Sequence, residues 1–314
     1  MSPALANRST GAGAVSLQFA PLDVPLHVEV AQAFAADPIA TACNGWGGAA
    51  NGKEALRMRV ELWPTLAGTG HSEMRVEGPV VRIRGPGVFA HAKLDRGVAH
   101  CAVSADYLEE PSALHQEVIE PLVLMLLTRR DRTPLHASGF IIDGLAVLLA
   151  GRSGAGKSCL ARAADLAGFQ VLSDDAVFVQ LAPRLKIWGW PTAAHLLAMD
   201  APDVTGPMRS RKGKAKQIVP LRSASPTAIS CERAVLCFLS RGTTPSLGRI
   251  SPADVDERIW PLDEGFDLLP EPIARAIARL SAGGAWDLRL SSDPVEAIRL
   301  LAANLPRLRE TAAT

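Results

Sequence analysis

The chain has 314 residues, room for one large domain and a smaller one, and 48% of them are hydrophobic, enough for a sizeable core. A net charge of +1 gives no reason to expect general affinity for nucleic acid or for membranes. Five scattered cysteines (Cys43, Cys101, Cys159, Cys231, Cys237), odd in number and without C-x-x-C spacing, exclude a disulfide scaffold and point to reduced thiols in a cytoplasmic protein.

Residues 1–15 are small and polar-to-neutral, and a flexible N-terminus is expected there; no basic stretch followed by an apolar one suggests an export signal. A β-rich N-terminal domain is expected over 16–130. A short helix over Val28–Ala36 opens it, and Asn44–Gly52 is a loop by its Gly and Asn content. Apolar and polar residues then alternate in Met58–Trp63, Met74–Glu77, Val80–Arg84, Val88–Ala92 and Ala99–Val103, an antiparallel layer with turns at Gly85-Pro-Gly87 and Asp95-Arg-Gly97. His71, His91 and His100 have no common metal-ligand spacing. The domain ends in a helix, Pro111–Arg129, with Leu114, Val118, Leu122 and Leu126 on one stripe. Its apolar part, Pro121–Leu127, is too short to cross a bilayer.

The rest, 131–314, reads as one α/β domain. Strands Leu135–Ile142 and Leu145–Ala150 are joined at Asp143-Gly144, a hairpin signal. Further strands are expected at Phe169–Leu172, Ala176–Leu181, Leu185–Trp190, Ala234–Leu239 and Trp286–Leu290, and helices at Ile273–Leu280 and Pro294–Leu308. Met208–Lys216, MRSRKGKAK, reads as a basic loop without apolar periodicity.

Between Leu145–Ala150 and the helix-forming run that starts at Cys159 lies Gly151-Arg152-Ser153-Gly154-Ala155-Gly156-Lys157-Ser158, a complete G-x-x-x-x-G-K-[ST] phosphate loop. Glycines let consecutive N–H groups turn inward on a polyphosphate without Cβ clashes. Lys157 brings a charge toward the β- and γ-phosphates, Ser158 a hydroxyl ligand for Mg²⁺, and the helix that follows points its dipole at the anion. Cys159, just past the loop, is either a packed thiol or one activated at a helix N-terminus. Downstream, Asp174 and Asp175 close the strand that follows this helix, where strand ends face the ligand crevice of an α/β sheet. One carboxylate can hold Mg²⁺ with Ser158, and the other can accept a proton from an attacking hydroxyl. His136, on the hairpin strand upstream of the loop, is placed to approach the γ-phosphate.

Together His136-Ala-Ser-Gly-x-x-x-Asp143-Gly, GRSGAGKS and LSDDAVFV resemble the catalytic domain of the HPr kinase/phosphorylase family over about residues 134–180. The resemblance implies a P-loop kinase domain of the type shared with phosphoenolpyruvate carboxykinase, here behind a β-rich N-terminal domain, with ATP and Mg²⁺ as cofactors. It implies a cytoplasmic serine kinase with Asp174 as base, Asp175 as Mg²⁺ partner and His136 and Lys157 beside the transferred phosphoryl. Nucleotide contacts then fall to Gly151 through Cys159. The family's Glu-Ile-Arg-Gly-Leu-Gly signature is absent, and its region reads WGWPTAAHLLAM. The chain is more similar to short HPr-kinase-like proteins that phosphorylate the C-terminal serine of lasso-peptide precursors. On that reading the acceptor is a peptide or protein serine hydroxyl, with no nucleic-acid or membrane partner, and a homo-oligomer is open. Arg209, Arg211, Lys212, Lys214 and Lys216 would clamp a phosphate or a peptide carboxylate. The residues by themselves leave open a small-molecule kinase and a nucleotide-binding module without transfer activity.

Overall fold

The computed structural model describes residues 13–43, 46–47, 54–191, 193–197, 208–211, 214–259 and 269–314. Contacts divide the chain into two units, Met1–Arg132 with Pro226–Ala228, and Thr133–Ser225 with Ile229–Thr314.

Period-two patterning builds the first unit. Strands β1 (Val15–Phe19), β2 (Leu26–Val30), β3 (Leu56–Leu62), β4 (Glu73–Glu77), β5 (Val80–Gly85), β6 (Val88–Lys93) and β7 (Val98–Val103) form one sheet in the order β1-β2-β3-β7-β6-β5-β4. The expected helix over Val28–Ala36 is not there. Leu26, Val28 and Val30 are buried while His27 and Glu29 are exposed, so this segment is a strand. The chain turns through Ala33–Ala35 before helix α1 (Ala36–Ala42). The layer is also not purely antiparallel, because β2 pairs β3 and β3 pairs β7 in parallel. The consecutive strands β1 and β2, and β4 through β7, are the antiparallel pairs. After α2 (Asp106–Glu109), the expected long helix is three pieces: α3 (Pro111–Leu114), a π-helical turn His115–Ile119, and α4 (Glu120–Thr128). Pro121 has no N–H for the carbonyl of Glu117 four residues earlier. That carbonyl accepts from the Ser72 hydroxyl instead, at 3.0 Å.

The second unit contains β8 (Thr133–Leu135), β9 (Ser138–Ile142), β10 (Leu145–Ala150), α5 (Lys157–Leu166), β11 (Gln170–Ser173), β12 (Val177–Gln180), β13 (Lys186–Gly189), β14 (Ala193–Leu197), β15 (Met208–Arg211), β16 (Lys214–Pro220), β17 (Ile229–Cys231), β18 (Ala234–Arg241), β19 (Ser246–Ile250), α6 (Pro252–Val255), α7 (Pro270–Ser281), β20 (Ala285–Leu290), α8 (Pro294–Ala303) and α9 (Leu305–Glu310). Its main sheet runs β11-β9-β10-β18-β20-β19, beside smaller sheets β17-β13-β12-β8 and β14-β16-β15. Every residue of β10 is buried, as a strand covered on both faces requires. Val147 and Leu149 pack with α5 and α8 through Leu160, Ala164, Ile298 and Leu301. On α7, Ile273, Ala276, Ile277 and Leu280 are buried where it packs against β18.

The Asp143-Gly144 turn has φ of +44° and +73°, the two positive values of a tight hairpin turn, so β9 and β10 pair with Ile142 opposite Leu145. Helix α5 stops at Gly168, whose φ of +88° lets Phe169 N–H reach Ala164 O and Gly168 N–H reach Asp165 O. Two further expectations change. Met208–Lys216 is not a loop, because its described residues form β15 and the start of β16. Pro294–Leu308 breaks at Asn304, where Pro306 starts a second helix.

Candidate active site

The register of the main sheet brings the sequence-predicted groups to one edge. β10 and β18 are parallel, and β9 lies antiparallel to both β10 and β11. The ends of β10, β11 and β18 therefore meet the start of β9. Ser138, the first residue of β9, pairs with Leu149 near the end of β10. Ser138 is fully buried, and its hydroxyl donates to the backbone carbonyl of Asp174, which ties the Asp turn to the same edge. Two strand spacings, about 10 Å, separate the end of β11 from the end of β10.

The glycine-rich loop folds as its composition demands. Gly154 and Gly156 have φ of +89° and +110°, values that L side chains rarely adopt. A methyl group at Gly156 would come within 3.0 Å of Leu290 and 3.1 Å of the Arg241 guanidinium. One at Gly151 would meet the Ala155 methyl at 2.9 Å. Arg152, Ser153 and Gly154 are exposed, Ala155, Ser158 and Cys159 are half-buried, and Gly151, Gly156 and Lys157 are buried. Helix α5 begins at Lys157, whose Nζ donates to Gly151 O at 2.6 Å. A ten-residue helix opening on a glycine-rich loop, with a buried ammonium beside it, fits a phosphate chain. All five cysteines are free thiols. Burial pushes Cys101 and Cys237 up to about 12, which leaves them inert.

The two carboxylates differ sharply. The Asp174 side chain is only 3% exposed. Its Oδ2 accepts from the backbone N–H of His195 at 2.8 Å, and His195 Nδ1 lies 3.3 Å from the same oxygen. Its Oδ1 is buried and has no hydrogen-bond partner among the described residues. Asp175 is half exposed, with Oδ1 3.7 Å from His136 Nδ1. His136 is at the bend between β8 and β9, a position that corrects the expected strand, and β8 belongs to the neighbouring sheet. The oxygen-rich pair Ser158 and Asp175 suits Mg²⁺ in its donor set. The basic segment lies on β15 and β16, where Arg209 is opposite Lys216 and Arg211 opposite Lys214 in register; Lys216 is half-buried, and Lys212 lies outside the described residues.

Two residues at this edge escape a sequence reading. Arg241 ends β18, next to the loop strand, and an arginine closing an apolar strand is a signal of the kind that singled out Asp174. His195 is in β14, within a segment with no periodicity pointing to Asp174; only the three-stranded sheet brings it there.

No family model matches this chain, and no curated protein sequence matches it. Its structure is similar to that of the Hpr(Ser) kinase/phosphatase from Coxiella burnetii, with 14% sequence identity and a TM-score of 0.30 over 56% of this chain and 97% of that one. At that TM-score the likeness carries no argument about activity. No described helix is long and apolar enough to cross a membrane.

Proposed function

We propose that this chain is an ATP-dependent kinase that phosphorylates a serine hydroxyl on a peptide or protein. One observation carries the reading: a buried carboxylate with an unsatisfied oxygen shares a sheet edge with a loop built to cradle phosphates. A buried acceptor left unpaired costs about 1–3 kcal/mol, which a purely structural aspartate has no reason to bear.

Mg-ATP, when bound, supplies the transferable phosphoryl group and its leaving group. Backbone N–H groups of residues 151–158 bind the phosphate chain, and Lys157 adds its charge. Ser158 and Asp175 would hold Mg²⁺, with His136 fixing the Asp175 carboxylate. Arg241 adds a second positive charge beside Gly156 to offset charge on the phosphates. Asp174 Oδ1 accepts the proton of the attacking hydroxyl. In the hairpin β15–β16, Arg209 is in register with Lys216 and Arg211 with Lys214, basic positions suited to an anionic acceptor. This favours a peptide carrying a carboxylate over a neutral metabolite.

The test is ADP release from Mg-ATP with serine peptides, with carboxylate or amidated C-termini, and with small alcohols as acceptors. Peptide-dependent release is expected, and Lys157→Ala should lower kcat/KM by about two orders of magnitude, near 3 kcal/mol. Release stimulated only by small alcohols would transfer the reading to metabolite kinases. Nucleotide binding without release on any acceptor would remove the transfer activity altogether.

A further inference from the structure

We propose that His195 is a positioning residue that commits the two oxygens of Asp174 to different tasks, holding Oδ2 and leaving Oδ1 for the acceptor hydroxyl. The inference rests on Asp174 being the base. Its ground is a contrast between two buried aspartates of the same unit. Asp165, 3% exposed, has both oxygens satisfied: Oδ2 accepts from Arg222 N–H and Oδ1 from Ser223 N–H, each at 2.8 Å. That is what a structural aspartate does when it pins a loop. Asp174 is buried to a similar degree, yet both of its side-chain contacts fall on one oxygen. Its other oxygen faces no donor among the described residues.

One residue makes both contacts, and strand geometry allows it. Ala194 and Leu196 are buried in the core with α5, so the alternation of β14 turns the His195 side chain to the opposite side. The backbone N–H of His195 and its ring converge on Oδ2 from a single strand position. The backbone contact would survive any side chain. The ring contact needs Nδ1 to carry a proton, and it prevents the carboxylate from rotating to share its donors between both oxygens. With the ring in place, the free lone pairs of Oδ1 are the ones presented. A carboxylate misplaced by about 1 Å loses on the order of a hundredfold in rate, so a fixed orientation has large leverage.

The experiment uses the full chain and basal hydrolysis of Mg-ATP, with water as the acceptor, so it does not wait on the natural acceptor. His195→Ala should lower kcat by about 10- to 100-fold while KM for ATP stays within about twofold. His195→Asn, whose amide nitrogen falls near the position of Nδ1, should recover to within about threefold of wild type. In the free protein, a nitrogen-15 histidine spectrum should show His195 protonated and hydrogen-bonded at Nδ1, a signature altered in Asp174→Asn. A His195→Ala protein with wild-type kcat while Asp174→Asn is inactive would overturn the inference and spare the base. Full activity in Asp174→Asn would overturn the base itself. An Asn variant as slow as the Ala variant, or a ring protonated only at Nε2, would also overturn the positioning role.

Discussion

The two principal sheets of this protein use polar residues in opposite ways. In the first unit one face of the sheet packs inward and the other carries paired charges on β2, β3, β4, β5 and β7. Arg59 pairs with Glu29 and Glu61, Arg75 with Glu73, Arg82 with Glu77, and His100 with Glu61 at 3.0 Å. A groove on this face is lined by His27, Glu29, Arg57 and Arg59, with Arg59 paired to Glu29. In the second unit β10 is apolar along its whole length and β18 along all but its last two residues, so the polar groups of these strands lie at their ends. Asp174, the glycine-rich loop and Arg241 collect there because nowhere else along β10, β11 or β18 can hold them. Polar residues spread over a sheet face neutralise each other in water; polar residues forced to one edge are left with chemistry to do.

That contrast can be broken at its strong end first. Asp174→Asn should lower phosphoryl transfer by about two to four orders of magnitude with ATP affinity little changed, the usual worth of a positioned base. Asp175→Asn should chiefly raise the Mg²⁺ concentration needed for half-maximal rate. A titration of rate against ATP and Mg²⁺ separates them, and identical behaviour of the two variants would remove the division of roles. Next comes the apolar frame. Leu148 is fully buried in β10, and Leu148→Ala should cost about 2–5 kcal/mol of unfolding free energy, read by denaturant titration. The smallest effect belongs to the first sheet. Arg59→Ala removes pairs whose side chains are about half exposed. It should cost no more than about 1 kcal/mol, less in high salt, and leave any transfer rate unchanged. A large loss of stability there would mean the charged face is doing more than balancing itself.

Much of this was legible in the chain because its cause is local. The Asp143-Gly144 turn and the end of α5 at Gly168 need positive φ, and glycine or aspartate at those positions announces it. The loop at Gly151–Ser158 is a local pattern too, since its backbone shape depends on glycines within eight residues. The unbroken apolar run of β10 likewise announces a strand buried on both faces. Period-two alternation located β3 to β7, but it was missed in β2, where the apolar content of Val28–Ala36 suggested a helix.

Tertiary structure decided the rest. Pairing direction has no local signature, so the parallel joins of β2, β3 and β7 were invisible, and the basic segment became strands only because β14 gives it a sheet to extend. Ser138 and Leu149 are brought level by the register of β9 on β10, which the hairpin turn fixes and no spacing rule states. The sequence by itself determined that a glycine-rich loop and an aspartate pair exist. Which oxygen of Asp174 is held and which is left open depends on His195, 21 residues away on another sheet, and a contact between two separately folded strands is set by packing rather than by any local pattern.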